Sequence, residues 1–369
     1  MGDSAILKAI EREMQTGVLV LGRNGIVRYC NPFFSAHFSP TPTHAGVPMR
    51  SMGRGYPADG YPGAEVFKGK KIDEVLCGAE LLKAVYGFLK KGSGKGARRR
   101  EAEINENNRF FKMRAVPLDG KENPGVMIFL QDITDEKRVE AVKKDFVANV
   151  SHELRTPLAS IKGYAETLLG GGMDDKKALR EFLKIIDKHA TRMSLLIDDL
   201  LTLSRLESHQ TTFLLERVDL IELVRSTTEG LKKQVKDKGI TLEMEFQKGL
   251  PNAVGDRKSL EQVMVNLFDN AIKYTQQGGM VQVSAAVRNH EIRVDVRDTG
   301  IGIPKADIPR IFERFYRVDK ARSREVGGTG LGLAIVKHII QGLNGKVWVQ
   351  SEQGKGSVFS FTLKAAGRK

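Results

Sequence analysis

The sequence predicts a multidomain α+β chain in three parts, a mixed α/β region, a paired helical hairpin and a second α/β layer structure. Three observations carry this. Short apolar runs broken by turn residues fill positions 1–134; apolar residues three and four apart dominate 135–208; strand and helix patterns alternate again over 209–369. A chain of 369 residues also exceeds one ordinary core and fits two or three domains of roughly 100–200 residues each.

In the first part, Val18–Leu21 and Ile26–Tyr29 read as strands around the Arg23-Asn24-Gly25 turn, a hairpin signal. Residues 39–63 hold Pro40, Pro42, Pro48, Pro57 and Pro62 among glycines and read as a long loop. Helical pattern resumes from Ile72 to Leu89, and strands follow at Ala102–Ile104, Phe110–Pro117 and Val126–Leu130. In the second part, Val139, Val142, Phe146, Val150, Leu154, Leu158 and Ile161 form one seam. Phe182, Ile186, His189, Met193, Leu196, Leu200 and Leu203 form the other. Gly170-Gly171-Gly172 breaks the two arms, with Asp174 or Asp175 as N-cap of the second. Two such helices cannot bury a broad apolar stripe alone, so a homodimer closing a four-helix bundle is expected. The third part reads as helices over 219–236, 257–274 and 330–342. Its strands are expected over 240–246, 280–287, 291–297, 345–350 and 357–363, with a long mobile loop from Gly300 to Gly328.

Composition narrows the function classes. The formal net charge is +14, but the basic residues are scattered, and the one dense run, Lys95, Arg98, Arg99 and Arg100, lies among glycines as a solvated loop. Direct nucleic-acid binding is therefore not expected. Cys30 and Cys77 are the only cysteines and show no metal-ligand spacing, which points to a reducing cytoplasmic compartment. No stretch reaches the ~18 apolar residues of a membrane helix. A membrane association is expected only if an upstream segment precedes Met1, making this the cytoplasmic portion of a longer protein.

Chemistry concentrates in four motifs. Ser151-His152-Glu153-Leu154-Arg155-Thr156-Pro157 places His152 between seam positions 150 and 154, so its imidazole should face solvent as a competent nucleophile. Glu153 can take a proton from the ring nitrogen that does not attack. Pro157 removes a backbone donor and should bend the helix one turn later. The zinc-protease pattern fails, because position 156 is Thr. Next, Gln262, Asn266, Asn270, Lys273 and Tyr274 place amides and a lysine on an otherwise apolar helix, a cost unless they bind something. A carboxamide oxygen suits Mg²⁺ and a lysine suits phosphate. Asp298-Thr299-Gly300-Ile301-Gly302 follows a strand, where the carboxylate can accept from an exocyclic amine. Gly327-Gly328-Thr329-Gly330-Leu331-Gly332 opens a helix whose free N–H groups make an anion cradle, without the Walker or Rossmann pattern.

In this order the motifs resemble those of sensor histidine kinases of two-component systems, of the phosphate-sensor-like subclass. SHELRTPL is similar to the H-box, VNLFDNAIKYT to the N-box, DTGIGI to the first G-box, IFERFYRVDKARS to the F-box and GGTGLGLAIVKHI to the second G-box. The resemblance implies a PAS-like sensor domain over 1–134, a dimerisation and phosphotransfer hairpin over 135–208, and a Bergerat-type ATP-binding sandwich over 209–369. It implies His152 as phosphoacceptor, Glu153 as its acid/base partner and Thr156 as the residue that positions water when a partner is dephosphorylated. Asn270 would hold Mg²⁺, with Asn266 and Lys273 near the phosphates of ATP, Tyr274 near the nucleotide and Asp298 on the adenine amine. Gly300, Gly302, Gly328, Thr329, Gly330, Leu331 and Gly332 would shape the pocket, and Phe312 to Arg322, with Arg317 among them, would form the lid. The partner implied is the receiver domain of a response regulator. In the first part, Asn31-Pro32 and Asp132-Ile133-Thr134 resemble PAS boundaries, whereas His37 and His44 read as surface histidines. Chaperone or topoisomerase relatives share the Asn and Gly boxes but lack a histidine on a dimeric hairpin. A serine kinase is separated by the acid stability of its product.

Overall fold

The computed structural model describes residues 15–38, 67–91, 100–118, 124–172, 175–208, 212–319 and 328–367. The expected loop over 39–63, with His44, lies outside them, as do Lys95, Gly327 and most of the charged run at 92–99. Two compact units divide the chain, Met1–Asp145 and Phe146–Lys369.

In the first unit the Arg23-Asn24-Gly25 turn joins β1 (Gly17–Gly22) to antiparallel β2 (Val27–Cys30), with Gly25 at φ 75° where a side chain would be strained. Asn31 then fixes the passage into α1 (Pro32–Phe38): its Oδ1 accepts from the amides of Val18 and Phe34, and its Nδ2 donates to the Thr16 carbonyl. The helix expected over 72–89 is instead two pieces. Ile72–Glu74 forms a single 3₁₀ turn, and α2 begins at Ala79 and runs to Lys91. The reason is Gly78, at φ 120°, beside a Cys77 amide that bonds to the Phe38 carbonyl and so leaves the helical ladder. β3 (Arg100–Glu106), β4 (Arg109–Leu118) and β5 (Gly125–Asp132) complete a five-stranded antiparallel sheet of order β2-β1-β5-β4-β3. Phe34, Phe38, Met113, Ile128 and Leu130 fill its core. Neither Cys30 nor Cys77 is in a disulfide, and burial pushes the Cys30 thiol up to about 11.

At the end of β5, Asp132 accepts from the Thr134 amide and hydroxyl and pairs with Arg109, which caps the next helix, α3 (Thr134–Thr167). Pro157 lies inside α3 and is buried, and the helix continues ten residues past it. The Gly170-Gly171-Gly172 break takes the form of a π-helical turn over Leu168–Gly172. Asp175 then caps α4 (Lys176–Glu207) through the amides of Lys177 and Ala178. On the first arm the seam positions Val139, Val142 and Leu158 are exposed, whereas the seam of the second arm is half-buried and closes over Leu196 and Leu203; Leu183, beside it, is 51% exposed.

The rest of the second unit is a mixed sheet with three helices on one face. It runs β6 (Glu216–Val218), α5 (Leu220–Asp237), β7 (Thr241–Phe246), β8 (Ala253–Gly255), α6 (Arg257–Tyr274), β9 (Met280–Arg288), β10 (Glu291–Asp298), α7 (Gly332–Gly342), β11 (Val347–Glu352) and β12 (Gly356–Lys364). The large sheet has the order β11-β12-β10-β9-β7, with β7 parallel to β9 at one edge. A separate ribbon pairs β6 with β8, which sequence periodicity does not reveal because each strand is three residues long. Residues 300–319 form turns without strand or regular helix, as the sequence implies, and 320–327 lie outside the described residues.

Candidate functional site

Three helix or strand ends converge in the second unit. On α6, Asn266 donates from Nδ2 to the carbonyl of Gly332 at 3.3 Å, joining that helix to the start of α7, and Gln262 donates to Asn266 at 3.4 Å. The approach is close, since a Cβ on Gly332 would stand 3.3 Å from the Asn266 amide oxygen. One turn further, Asn270 is half-buried, and among the described residues no hydrogen bond holds its carboxamide. Lys273 pairs with Asp269, and the Tyr274 carbonyl accepts from Ile301 at 3.3 Å.

Asp298 ends β10, opposite Ser357 in the ladder, and only 5% of it is exposed. Its Oδ1 accepts from the Gly300 amide at 2.8 Å. Burial pushes its carboxyl above the usual range, and bonds from Gly300 and Ser357 oppose that without cancelling it. Gly300 passes so close to α6 that a Cβ would meet the Tyr274 carbonyl at 2.4 Å.

Residues 328–332 open α7. Gly330, at φ 77°, accepts from the Phe315 amide with its carbonyl, and Leu331 is fully buried beneath the turn. The N-cap position, Leu331, offers no side-chain acceptor, so the first amides of α7 are available to an anion. Arg317 donates to the Gly328 carbonyl at 2.6 Å, and its side chain is only 8% exposed.

On α3, His152 is exposed, and no hydrogen bond engages its ring among the described residues. Thr156 donates its hydroxyl to the His152 carbonyl at 3.2 Å. Glu153 does not turn to the histidine ring in this arrangement. Its Oε2 accepts from Arg192 of α4 at 3.0 Å and from Arg317 at 3.2 Å. Thus Asn266, Asp298, Gly300, Gly302, Gly330 and Gly332 gather around the ends of α6, β10 and α7, while His152 and Thr156 stay on the exposed face of α3.

Sequence reasoning missed several contacts between helices and domain. Thr329 donates to Asp199 of α4 at 2.7 Å, Arg314 pairs with Glu207 at 2.5 Å, and Phe315 packs on Phe146 with ring centroids 5.9 Å apart. His338 also approaches Glu207, at 3.5 Å. The one usable sequence signal was the acidic pair Asp198-Asp199 beside an apolar seam, where a carboxylate is costly without a partner.

For Mg²⁺ the donor set fits. Magnesium keeps several waters and is held by one or two protein oxygens plus substrate phosphates. A free carboxamide at Asn270 is such an oxygen, and the absence of a three-residue acidic or histidine cluster among the described residues is no obstacle.

Residues 142–209 match the His Kinase A (phospho-acceptor) domain family, and 255–367 match the family of Histidine kinase-, DNA gyrase B-, and HSP90-like ATPases. Over 248 residues the chain is 39% identical to the sensor histidine kinase WalK of Bacillus subtilis, covering 65% of this chain and 39% of that protein. Over 237 residues it is 39% identical to the sensor-like histidine kinase SenX3 of Mycolicibacterium smegmatis, covering 64% and 61%. The chain thus spans about two to three fifths of these relatives' length. The histidine kinase ThkA, solved in complex with the response regulator protein TrrA, aligns over 97% of this chain and 98% of its own at a TM-score of 0.50 and 20% identity, a likeness of fold. The chain carries the paired phosphoacceptor and ATPase domains of the sensor histidine kinases.

Proposed function

We propose that this chain phosphorylates its own His152 from Mg²⁺-ATP, passes the phosphoryl group to an aspartate in the receiver domain of a response regulator, and also dephosphorylates that partner. The observation that carries the reading is the Glu153–Arg317 ion pair. It ties the residue next to an exposed histidine to the segment that borders the glycine-rich start of α7. One imidazole nitrogen of His152 attacks the γ-phosphorus, the bond to the bridging oxygen breaks, and ADP departs. The other nitrogen gives its proton to Glu153 once Arg317 has let that carboxylate go.

Asp298 would accept the adenine amine. Asn266, Lys273, Arg317 and Thr329 would face the phosphates, Tyr274 and Leu331 would border the nucleotide, and Asn270 would hold Mg²⁺. When bound, the metal neutralises charge on the phosphate oxygens. Gly300, Gly302, Gly328, Gly330 and Gly332 let backbone approach the ligand, and Thr156 would orient water for dephosphorylation. The sheet order β2-β1-β5-β4-β3 supports a PAS-like sensor over 1–134, followed by the hairpin over 135–208 and a Bergerat-type domain over 209–369. The uncovered leucines of α3 and α4 support a homodimer. No helix of the described residues is long and apolar enough to cross a membrane, and a cytoplasmic site of action is part of the reading.

The test is label transfer. Mg²⁺-ATP labelled at the γ-phosphate should mark the wild-type chain with an acid-labile, base-stable group, and His152→Gln should remove it while keeping nucleotide affinity. Label that persists in the variant, or that survives acid, refutes the assignment.

A further inference from the structure

The second unit holds Asp199 in an arrangement that stability alone does not explain. Its carboxylate, on α4, is half-buried and accepts one hydrogen bond, from the Thr329 hydroxyl. The like charges of Asp198 and Asp269 work against it, and the cation that favours it, Lys273, is already paired with Asp269. Burial accordingly raises the Asp199 carboxyl above its ordinary range. A carboxylate in such surroundings costs free energy in the docked arrangement.

Glu153 makes a parallel contact from the other arm of the hairpin, on α3. It binds Arg317, whose guanidinium is nearly buried and also bonds to the Gly328 carbonyl. Two anions from the helices therefore occupy two groups, Thr329 and Arg317, that flank the glycine-rich start of α7. Both groups belong to the phosphate-facing set of the proposed kinase, and the inference rests on that reading.

From this geometry we infer that Asp199 and Glu153 are tethered stand-ins for phosphate, so that the docked hairpin and the triphosphate of ATP compete for Thr329 and Arg317. Phosphate oxygens and carboxylate oxygens are acceptors of one kind, and a hydroxyl or a guanidinium satisfied by one is less available to the other. ATP binding displaces both carboxylates. That frees the ATPase domain from the helices and leaves Glu153 held by Arg192 alone, within the hairpin that carries His152. By linkage, docking weakens ATP by the same factor with which ATP weakens docking. Nucleotides with fewer phosphates displace the carboxylates less.

The experiment compares ATP, ADP and adenosine binding to the full chain by calorimetry in the presence of Mg²⁺. Asp199→Asn keeps an oxygen for Thr329 and removes the charge. It should tighten ATP by about fivefold or more, the lower end of couplings between linked sites. ADP should gain less and adenosine nothing. Asp199→Ser, smaller and neutral, should follow the same order, so the result does not depend on one variant folding well. Unchanged or weaker ATP binding in both variants overturns the competition, and so does an equal gain for adenosine. A wild-type chain that binds no ATP defeats the kinase reading itself. Normal wild-type binding without a phosphate-dependent gain defeats only the competition.

Discussion

Gly302 lies against the carbonyl of Glu352 so closely that a Cβ on it would stand 2.0 Å from that oxygen, and its φ of 65° is one that side chains rarely adopt. Gly328 has nothing within 4 Å of the same hypothetical atom. These two glycines are thus not equivalent. Gly302→Ala should cost more than about 2 kcal/mol of stability, because backbone cannot yield as a side-chain tip can. Gly328→Ala should stay within about 0.5 kcal/mol of wild type. Urea unfolding of both variants checks this, and similar midpoints would show that the close approach carries no cost.

Asp256 accepts from the Ser259 amide at 2.8 Å and the Leu214 amide at 3.0 Å, capping α6 and tying down the chain that precedes β6. Burial pushes its carboxyl up, but these amides and Lys258 outweigh it and hold it below the ordinary range. A depressed carboxyl stabilises the fold above its unfolded value, and the gain is lost as pH falls through the folded one. Asp256→Ala should therefore cost roughly 1–2 kcal/mol at pH 7. The penalty should shrink below about pH 4, near the unfolded carboxyl value. Denaturation curves at pH 7 and pH 3 decide, and an equal penalty at both would rule the carboxylate out.

Asp298 has the opposite sign. Its carboxyl is raised by burial, so the fold is favoured while it is protonated, and that contribution disappears as pH rises through the folded value. Asp298→Asn should lower ATP affinity and yet melt no earlier than wild type at pH 7. Any stability advantage of the variant should vanish in acid. A variant that loses stability at pH 7 and keeps ATP affinity would contradict both halves.

Leu183, on α4, is half exposed, and covering the exposed half of a leucine is worth about 1 kcal/mol in each protomer. Leu183→Glu should shift the chain from dimer to monomer mass in light scattering. The wild type should remain dimeric at the same concentration, and a variant that keeps the dimer would place the interface elsewhere.

Much of this molecule was legible from local chemistry. Asp175, Asn31 and the turn at Gly25 acted within a few residues, and their side chains do what their types allow. The glycine and asparagine motifs were found for the same reason, since a polar residue on an apolar helix is visible as an anomaly. What escaped was of two kinds. The break at Cys77-Gly78 depended on a distant acceptor, the Phe38 carbonyl, that no period announces. Arg192, Asp199, Glu207 and Arg314 find partners up to 131 positions away, and helical spacing gives the face of a residue but not its neighbour.

Among the described residues the parallel strand β7 has no neighbouring strand on its outer side, and along it stand Glu243 and Glu245, both exposed. Bringing two such borders together would set carboxylate against carboxylate, which disfavours pairing of β7 with the β7 of another copy. Self-association is thereby steered away from strand addition along β7 and toward the leucine-bearing helices.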